Sequence, residues 1–508
     1  MRSLIGKLIT FVLKQRIPQI EAFKNDPFRY QEAAFKNLIQ AGKHTEYGKL
    51  HGFKDIRQVK DFQQQVPVLP YETLFPYIER MLKGEQNVLW PTPVNWFSKS
   101  SGTTNDRSKF IPVSQESMQH SLFRGGRDMI ALYLHNRPGT KVLEGKNLAI
   151  GGSLQDNPYW PGHFIGDVSA VMIKNLPSWA QYMRTPSLEV ALMEKWEDKI
   201  EQMALQTLNE KVTSISGVPT WMVVLLKRIM EISGKKTIHE VWPDLEVFLH
   251  GAVSFKPYRE LFDQMIGNPR MAYMEIYNAS EGYFAMQDDL SLPGEMLLLT
   301  DYGVYYEFLP LDQVDKPFPK TLTLGEVELN KNYALVISTN AGLWRYLIGD
   351  TVRFTSIKPH RIVVSGRTKH YINAFGEELM VDNADTAITW ACSATQAVIK
   401  DYTVAPVYMN GKHRGCHEWI IEFEQQPVNS PEFNRLLDEK LRQLNSDYDA
   451  KRYQNLALKE PKVHSVPVNT FYNWMKKRGK LGGQNKVPRL ANHREYVDDI
   501  LHMIQQTV

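Results

Sequence analysis

Between residues 146 and 279 the chain repeats one pattern: a short apolar run, a small or polar turn, then a long stretch with helical spacing. The segments "KNLAIGGS", "VTSISGVP", "LEVFLHGAV" and "MAYMEIYNAS" read as strands. Those between them, "LEVALMEKWEDKIEQMALQTLNEK", "TWMVVLLKRIMEIS" and "YRELFDQMI", read as helices. Strands alternating with helices over short connections argue for parallel pairing, and a parallel sheet needs its faces covered. The fold class that follows is α/β, with a helix-flanked sheet whose carboxyl ends are the natural place for a ligand.

The flanking regions extend this frame. The first ninety residues have helical spacing, with Gly42 ending "RYQEAAFKNLIQAGK". Residues 283–366 hold short strands with few helices, which predicts an antiparallel sheet or distorted barrel. Beyond "SGRTK", a helix over "VDNADTAITWACSAT", strands over "DYTVAPVYM" and "HEWIIEFE", and a helix over "SPEFNRLLDEKLRQLN" predict a compact α+β unit. The expected division is therefore 1–367 and 368–508, with a boundary near Arg367–Lys369.

At 508 residues, 43% hydrophobic and 23% charged, the chain has the composition of an ordinary globular protein. A net charge of +4 over this length gives no electrostatic ground for a nucleic-acid partner. Two cysteines, Cys392 and Cys416, suit a reducing cytoplasm and exclude a disulfide framework. The basic, apolar start "MRSLIGKLITFVLKQRI" is interrupted by Lys7 and Lys14. Leu4, Leu8, Phe11 and Val12 fall near helical spacing there, which predicts an amphipathic helix packed on the body rather than a signal or stable membrane insertion. No stretch approaches the roughly 20 apolar residues of a membrane span.

Four loops carry candidate chemistry. In "WFSKSSGTTNDRSKFIPVS" the backbone amides and hydroxyls of Ser100, Ser101, Gly102, Thr103 and Thr104 can wrap phosphate oxygens, and Arg107 or Lys109 can add charge. "YNASEGYF" places Tyr277, Ser280 and Glu281 at a strand end, suiting a purine face, a phosphate contact and a magnesium ligand. "WRYLIGDTVRF" offers Asp350, an acceptor able to take hydrogen bonds from both ribose hydroxyls. "GKLGGQNKVPRL" presents Lys486 in a glycine-flanked loop that can bring charge to a site for one step. Taken singly, each reads as a polar surface turn.

Taken together and in this order, they resemble the GH3 family of acyl acid–amido synthetases, within the acyl-adenylating superfamily. "SSGTT…K" is similar to that family's phosphate loop, "YNASEGYFA" to its tyrosine-serine-glutamate motif, "LWRYLIGDTV" to its arginine-tyrosine-glycine-aspartate motif, and "GGQNKVPR" to its lysine loop. "FLHGAVSFKPYRELF" resembles the adenine flank and "SISGVPTW" the step bordering the acyl pocket. The resemblance runs from about residue 25 to the end. It implies a large N-terminal domain with two helix-flanked sheets and a β-barrel, and a small C-terminal domain carrying the lysine loop. It departs at Asn105-Asp106, where the family usually has glycine. The chain is also shorter than the plant members, which implies a bacterial-type member with another acid.

The activity implied is ATP-dependent and magnesium-assisted. A carboxylic acid is activated as acyl-AMP, pyrophosphate leaves, and an amino acid or other amine takes the acyl group. The resemblance assigns the phosphates to residues 100–104 and Lys109, magnesium to Glu281, and the α-phosphate to Ser280 and Lys486. It gives the adenine to Ala252, Val253 and Tyr277, and the ribose to Asp350 and Arg367, with a hinge at Thr368–Lys369. Two alternatives stay open here: a coenzyme A ligase sharing the first step, and a non-catalytic nucleotide- or acid-binding protein. Met183, Met193, Trp179 and Trp221 are candidates for the acyl pocket or for core. "HRGCH", His413 to His417, lacks the fourth ligand of a structural zinc site and reads as packing.

Overall fold

A computed structural model describes residues 2–100, 109–252, 255–314, 316–368, 371–372, 374–375, 377, 379–408, 415–452, 458–481 and 485–506. The chain forms two compact units: residues 1–253 with 266–363, and residues 254–265 with 364–508.

In the first unit, the four expected strands are Lys146–Ala149, Val212–Gly217, Val247–Gly251 and Ala272–Ala279, paired in parallel in that order. The glycine ending the third of them has a steric cause. A Cβ on Gly251 would stand 2.3 Å from the Ile276 carbonyl oxygen of the neighbouring strand, so only glycine fits there. These strands continue into one 11-stranded sheet whose remaining half is largely antiparallel. The expected barrel is this antiparallel half. It curls around buried aromatics including Phe284, Tyr306, Phe308, Trp344 and Phe354. A second sheet of four strands contains Trp96–Ser100 and Lys109–Val113, paired antiparallel with Ser100 opposite Lys109.

Two local expectations are corrected. The single helix expected over 188–211 is two, Leu188–Ala191 and Trp196–Thr207. Val190 and Ala191 are buried, but the next positions on that face are Glu194 and Lys195. The break re-phases the chain so that Trp196, Ile200 and Met203 face inward. The N-terminal helix, Arg2–Lys14, forms as expected, yet Phe11 is 65% exposed. Among the described side chains of this helix, Gly6, beside Leu143, and Leu13 are buried.

The second unit contains a three-stranded sheet, Val398–Val407, Cys416–Gln425 and Lys462–Val466. Alternation along "HEWIIEFE" sorts its faces. Trp419, Ile421 and Phe423 join the core beneath helices Val381–Thr395 and Ser430–Leu444. Ile420 joins that beneath Thr470–Lys477 and Glu495–Gln505. Glu418 and Glu422 share the Ile420 face and are buried but partnered. Glu418 accepts from Lys462, His464 and Arg494, and Glu422 from the amides of Asn469 and Phe471.

Burial alone would raise the Glu418 carboxyl, but the hydrogen bonds from Lys462, His464 and Arg494, with the Arg494 charge, outweigh it and hold it down to about 2. A depressed carboxyl contributes stability above its unfolded value, lost as pH falls toward the folded value. Acid unfolding of this unit is therefore expected between about pH 4.5 and 2, with roughly 3 kcal/mol tied to Glu418. In Glu418→Gln, the acid limb of a pH-dependent denaturation series should flatten; an unchanged limb contradicts the assignment.

Among the described residues no helix is long and apolar enough to cross a membrane. Both cysteines are free thiols, Cys392 buried and Cys416 half-buried.

Candidate functional site

The curled sheet brings Asp350 to Tyr277. In the sheet order, the strand Tyr346–Ile357 lies four strands from Ala272–Ala279, yet the Tyr277 hydroxyl donates to Asp350 Oδ2 at 2.8 Å. A bulge makes the reach possible. Thr351 pairs with Ala334 and Leu347 with Val336, so Ile348, Gly349 and Asp350 lie opposite Leu335 alone. Gly349 holds φ at +93°, a backbone state glycine adopts without the Cβ clash. The tyrosine hydroxyl occupies one acceptor position of the carboxylate.

Glu281 is placed by turn geometry. Strands Ala272–Ala279 and Gly282–Met286 pair with Ala279 opposite Gly282, leaving Ser280 and Glu281 as a two-residue hairpin tip. The Gly282 position packs against Ser121, whose hydroxyl accepts the Tyr283 N–H at 3.0 Å. Glu281 is half-buried.

Tyr71 links this hairpin to the second sheet, and local sequence gave no sign of it. Its hydroxyl accepts from the Phe110 amide at 2.7 Å. Burial pushes the phenol above its usual range, and the nearby Glu281 charge pushes in the same direction. Lys109 Nζ stands 5.3 Å from the centre of the Tyr71 ring and 6.0 Å from that of Tyr346. Lys109, Tyr71 and Glu281 thus form one neighbourhood, and Tyr346 connects it to the strand carrying Asp350.

Ala252 follows the carboxyl end of Val247–Gly251 with φ at +74°, strained for a residue with a side chain. Strain of about 1–3 kcal/mol kept at a strand end is a mark of functional sites. Ser100 ends its strand directly before residues 101–108. Ser101, Gly102, Thr103, Thr104, Asn105-Asp106, Arg107 and Val253 lie outside the described residues, as do Lys369 and His413.

Trp221 is buried and packs edge-on against Trp196 at 4.6 Å, whereas Trp179 is 51% exposed; Met183 and Met193 are half-buried. His417 is fully buried and hydrogen-bonded to Glu377 at 2.8 Å, a packing role. In the second unit, half-buried Arg367 ends the strand His360–Arg367, and Lys486 is exposed.

Among the described residues no three His, Cys, Asp or Glu side chains group for a metal. The half-buried Glu281 carboxylate is nevertheless a hard oxygen donor of the kind that magnesium accepts.

The fold is shared with two solved ligases. The fold matches a solved GH3.15 acyl acid amido synthetase with a TM-score of 0.78 at 17% identity, covering 96% of each chain. It matches a 2-hydroxyisobutyryl-CoA ligase at 0.61 and 12% identity, covering 94% of this chain and 92% of that one. Family models match along the sequence: the GH3 family N-terminal domain over 16–271, the central domain over 297–367 and the C-terminal domain over 382–495. The chain belongs to the GH3 family. Curated relatives include the indole-3-acetic acid-amido synthetase GH3.3 of Arabidopsis thaliana, 23% identical over 91% of this chain and 89% of its own. Another is the jasmonoyl-L-amino acid synthetase JAR4 of Nicotiana attenuata, 23% identical over 70% of this chain and 71% of its own.

Proposed function

We propose that this protein is an ATP-dependent, cytoplasmic acyl acid–amido synthetase that joins a carboxylic acid to an amino acid or other amine. The observation that carries the reading is the meeting of Asp350 with Tyr277 and of Glu281 and Lys109 around Tyr71, in a chain of the GH3 family.

A free carboxylate does not acylate an amine at useful rates, because an oxide anion must leave. In the first step a carboxylate oxygen attacks the α-phosphorus of ATP, and the bond to the bridging oxygen breaks as pyrophosphate departs. In the second, the amine nitrogen attacks the acyl carbonyl and loses a proton, and AMP leaves with the electrons of the acyl C–O bond. Both steps depend on positioning and charge neutralisation more than on covalent help from the protein.

The residues divide this work. Ser100 and the 101–104 segment (Ser101, Gly102, Thr103 and Thr104) cradle the phosphates, with Lys109 adding charge. Ala252, Val253 and Tyr277 border the adenine. Asp350, fixed by the Tyr277 hydroxyl, takes the ribose hydroxyls, and Arg367 reaches the same sugar. Ser280 contacts the α-phosphate, and Lys486 neutralises charge there during adenylation. Glu281 would hold a magnesium ion, which supplies charge neutralisation for the polyphosphate when bound. Residues 1–367 are assigned to ATP and acid, and 368–508 to the lysine loop.

Asp350→Ala should weaken ATP binding by about thirtyfold, roughly 2 kcal/mol for lost charge-assisted hydrogen bonds. Isothermal titration with ATP, alongside a melting curve, checks this; unaltered affinity removes the ribose role. The acyl acceptor is read by product mass spectrometry with mixed amino acids and coenzyme A in parallel. An amide is the expected product, and a thioester alone overturns the acceptor assignment.

A further inference from the structure

Three residues beyond Lys486 the chain is fastened to the sheet of its own unit. The Val404 amide donates to the Arg489 carbonyl at 2.8 Å, and the Ala491 amide to the Val404 carbonyl at 3.1 Å. The Thr403 hydroxyl donates to the Pro488 carbonyl at 2.6 Å. Residues 488–491 therefore run along the Val398–Val407 edge that the three-stranded sheet leaves open.

The Arg489 side chain makes a second set of ties. Its Nη1 donates to Asp401 Oδ1 at 2.6 Å and to the Tyr402 carbonyl at 3.3 Å, and its Nη2 to the Tyr258 hydroxyl. The guanidinium lies 4.4 Å from the Tyr402 ring and 5.5 Å from the Tyr258 ring, and Tyr402 donates to buried Asp385 at 2.6 Å. Tyr258 is itself almost fully buried and belongs to residues 254–265, the segment that follows Ala252 and packs as part of this same unit. Lys256 adds a further tie, 2.9 Å from Asp382.

A buried guanidinium is a costly way to hold a fold together, since well-packed apolar groups usually serve as well. What a planar fork stacked between two rings does provide is registration. We propose that Arg489 is a positioning residue that locks the Lys486 loop and the segment leaving the adenine flank into one rigid body. Loss of the guanidinium then loosens both segments together. This rests on the reading of Lys486 as the group acting on the α-phosphate.

Two measurements on the full-length protein test it. Hydrogen–deuterium exchange needs no substrate. Arg489→Gln should speed exchange at amides in both 485–491 and 255–265 about tenfold, while the central strand Cys416–Gln425 is unchanged. Faster exchange in one segment alone, or across the whole unit, overturns the coupling. The second is ATP–pyrophosphate exchange with the acid giving the fastest wild-type rate. Arg489→Gln should lower its kcat about thirtyfold. The double variant Lys486→Ala/Arg489→Gln should be no slower than Lys486→Ala, because Arg489 acts through that lysine. Multiplying losses overturn the positioning role. If wild-type protein supports no exchange with any acid, or Lys486→Ala leaves exchange intact, the amido-synthetase reading fails instead, and deuterium exchange still decides the coupling.

Discussion

Replacing Lys486 with alanine is expected to slow ATP–pyrophosphate exchange by about a thousandfold or more, while ATP affinity changes little. The magnitude follows from the lysine's proposed task. A cationic group aimed at charge that develops on a transferring phosphoryl contributes on the order of a thousandfold or more to the rate. The exposed position of Lys486 in its own unit suits a group that reaches its target only for that step. A direct contact in the ground state would make the variant bind ATP poorly as well. Exchange kinetics paired with calorimetry separate the two cases. Exchange at the wild-type rate removes Lys486 from the mechanism.

The second large effect concerns stability. Arg345 and Glu307 are buried to within 3% and 1% of their side-chain surfaces and form a two-pronged pair, with both N–O distances 2.9 Å. Arg345 also donates to the Val66 carbonyl at 2.6 Å, the Gln63 carbonyl at 3.0 Å and the Thr321 hydroxyl at 2.7 Å. One guanidinium therefore pins residues 63–66 to the curled sheet. Removing it alone leaves Glu307 charged and buried, which costs about 3–5 kcal/mol. Arg345→Ala should lose that much in urea denaturation, whereas Arg345→Met with Glu307→Leu should recover most of it. If the double variant is as unstable as the single one, the cost lies in the lost carbonyl contacts rather than in a stranded charge.

Arg345 also marks what could and could not be read from the sequence. "LWRYLIGD" presents its arginine and aspartate as one motif, but the fold separates their tasks. Arg345 turns inward to Glu307, while the bulge at Gly349 directs Asp350 to Tyr277. Local sequence shows a polar turn in an apolar run and cannot say which long-range partner each side chain meets. The parallel strands were legible because apolar runs, small turn residues and helical spacing are local signals. The break at Leu192–Lys195 was missed because Glu194 and Lys195 fit a helix individually; only the burial of both flanking faces exposes the change of phase.

Tyr71 was illegible for the same reason. It lies in the helical first ninety residues, far from Lys109 and Glu281 in the chain, and is joined to them only by folding. The partners of Arg489 are likewise scattered, with Tyr258, Asp401 and Tyr402 coming from two separate segments. Motif order, by contrast, survives distance. Ser100, Glu281, Asp350 and Lys486 occur in the family's order, and order along the chain is visible without structure.

The most direct measurement of the central claim is a screen of carboxylic acids for ATP–pyrophosphate exchange, with Lys486→Ala run beside the wild type and amide products sought by mass spectrometry on every active acid. At least one acid is expected to drive exchange that Lys486→Ala slows about a thousandfold or more, and to yield an amide with stoichiometric AMP when an amino acid is added. Folded, ATP-binding protein that drives no exchange with any acid would contradict the account.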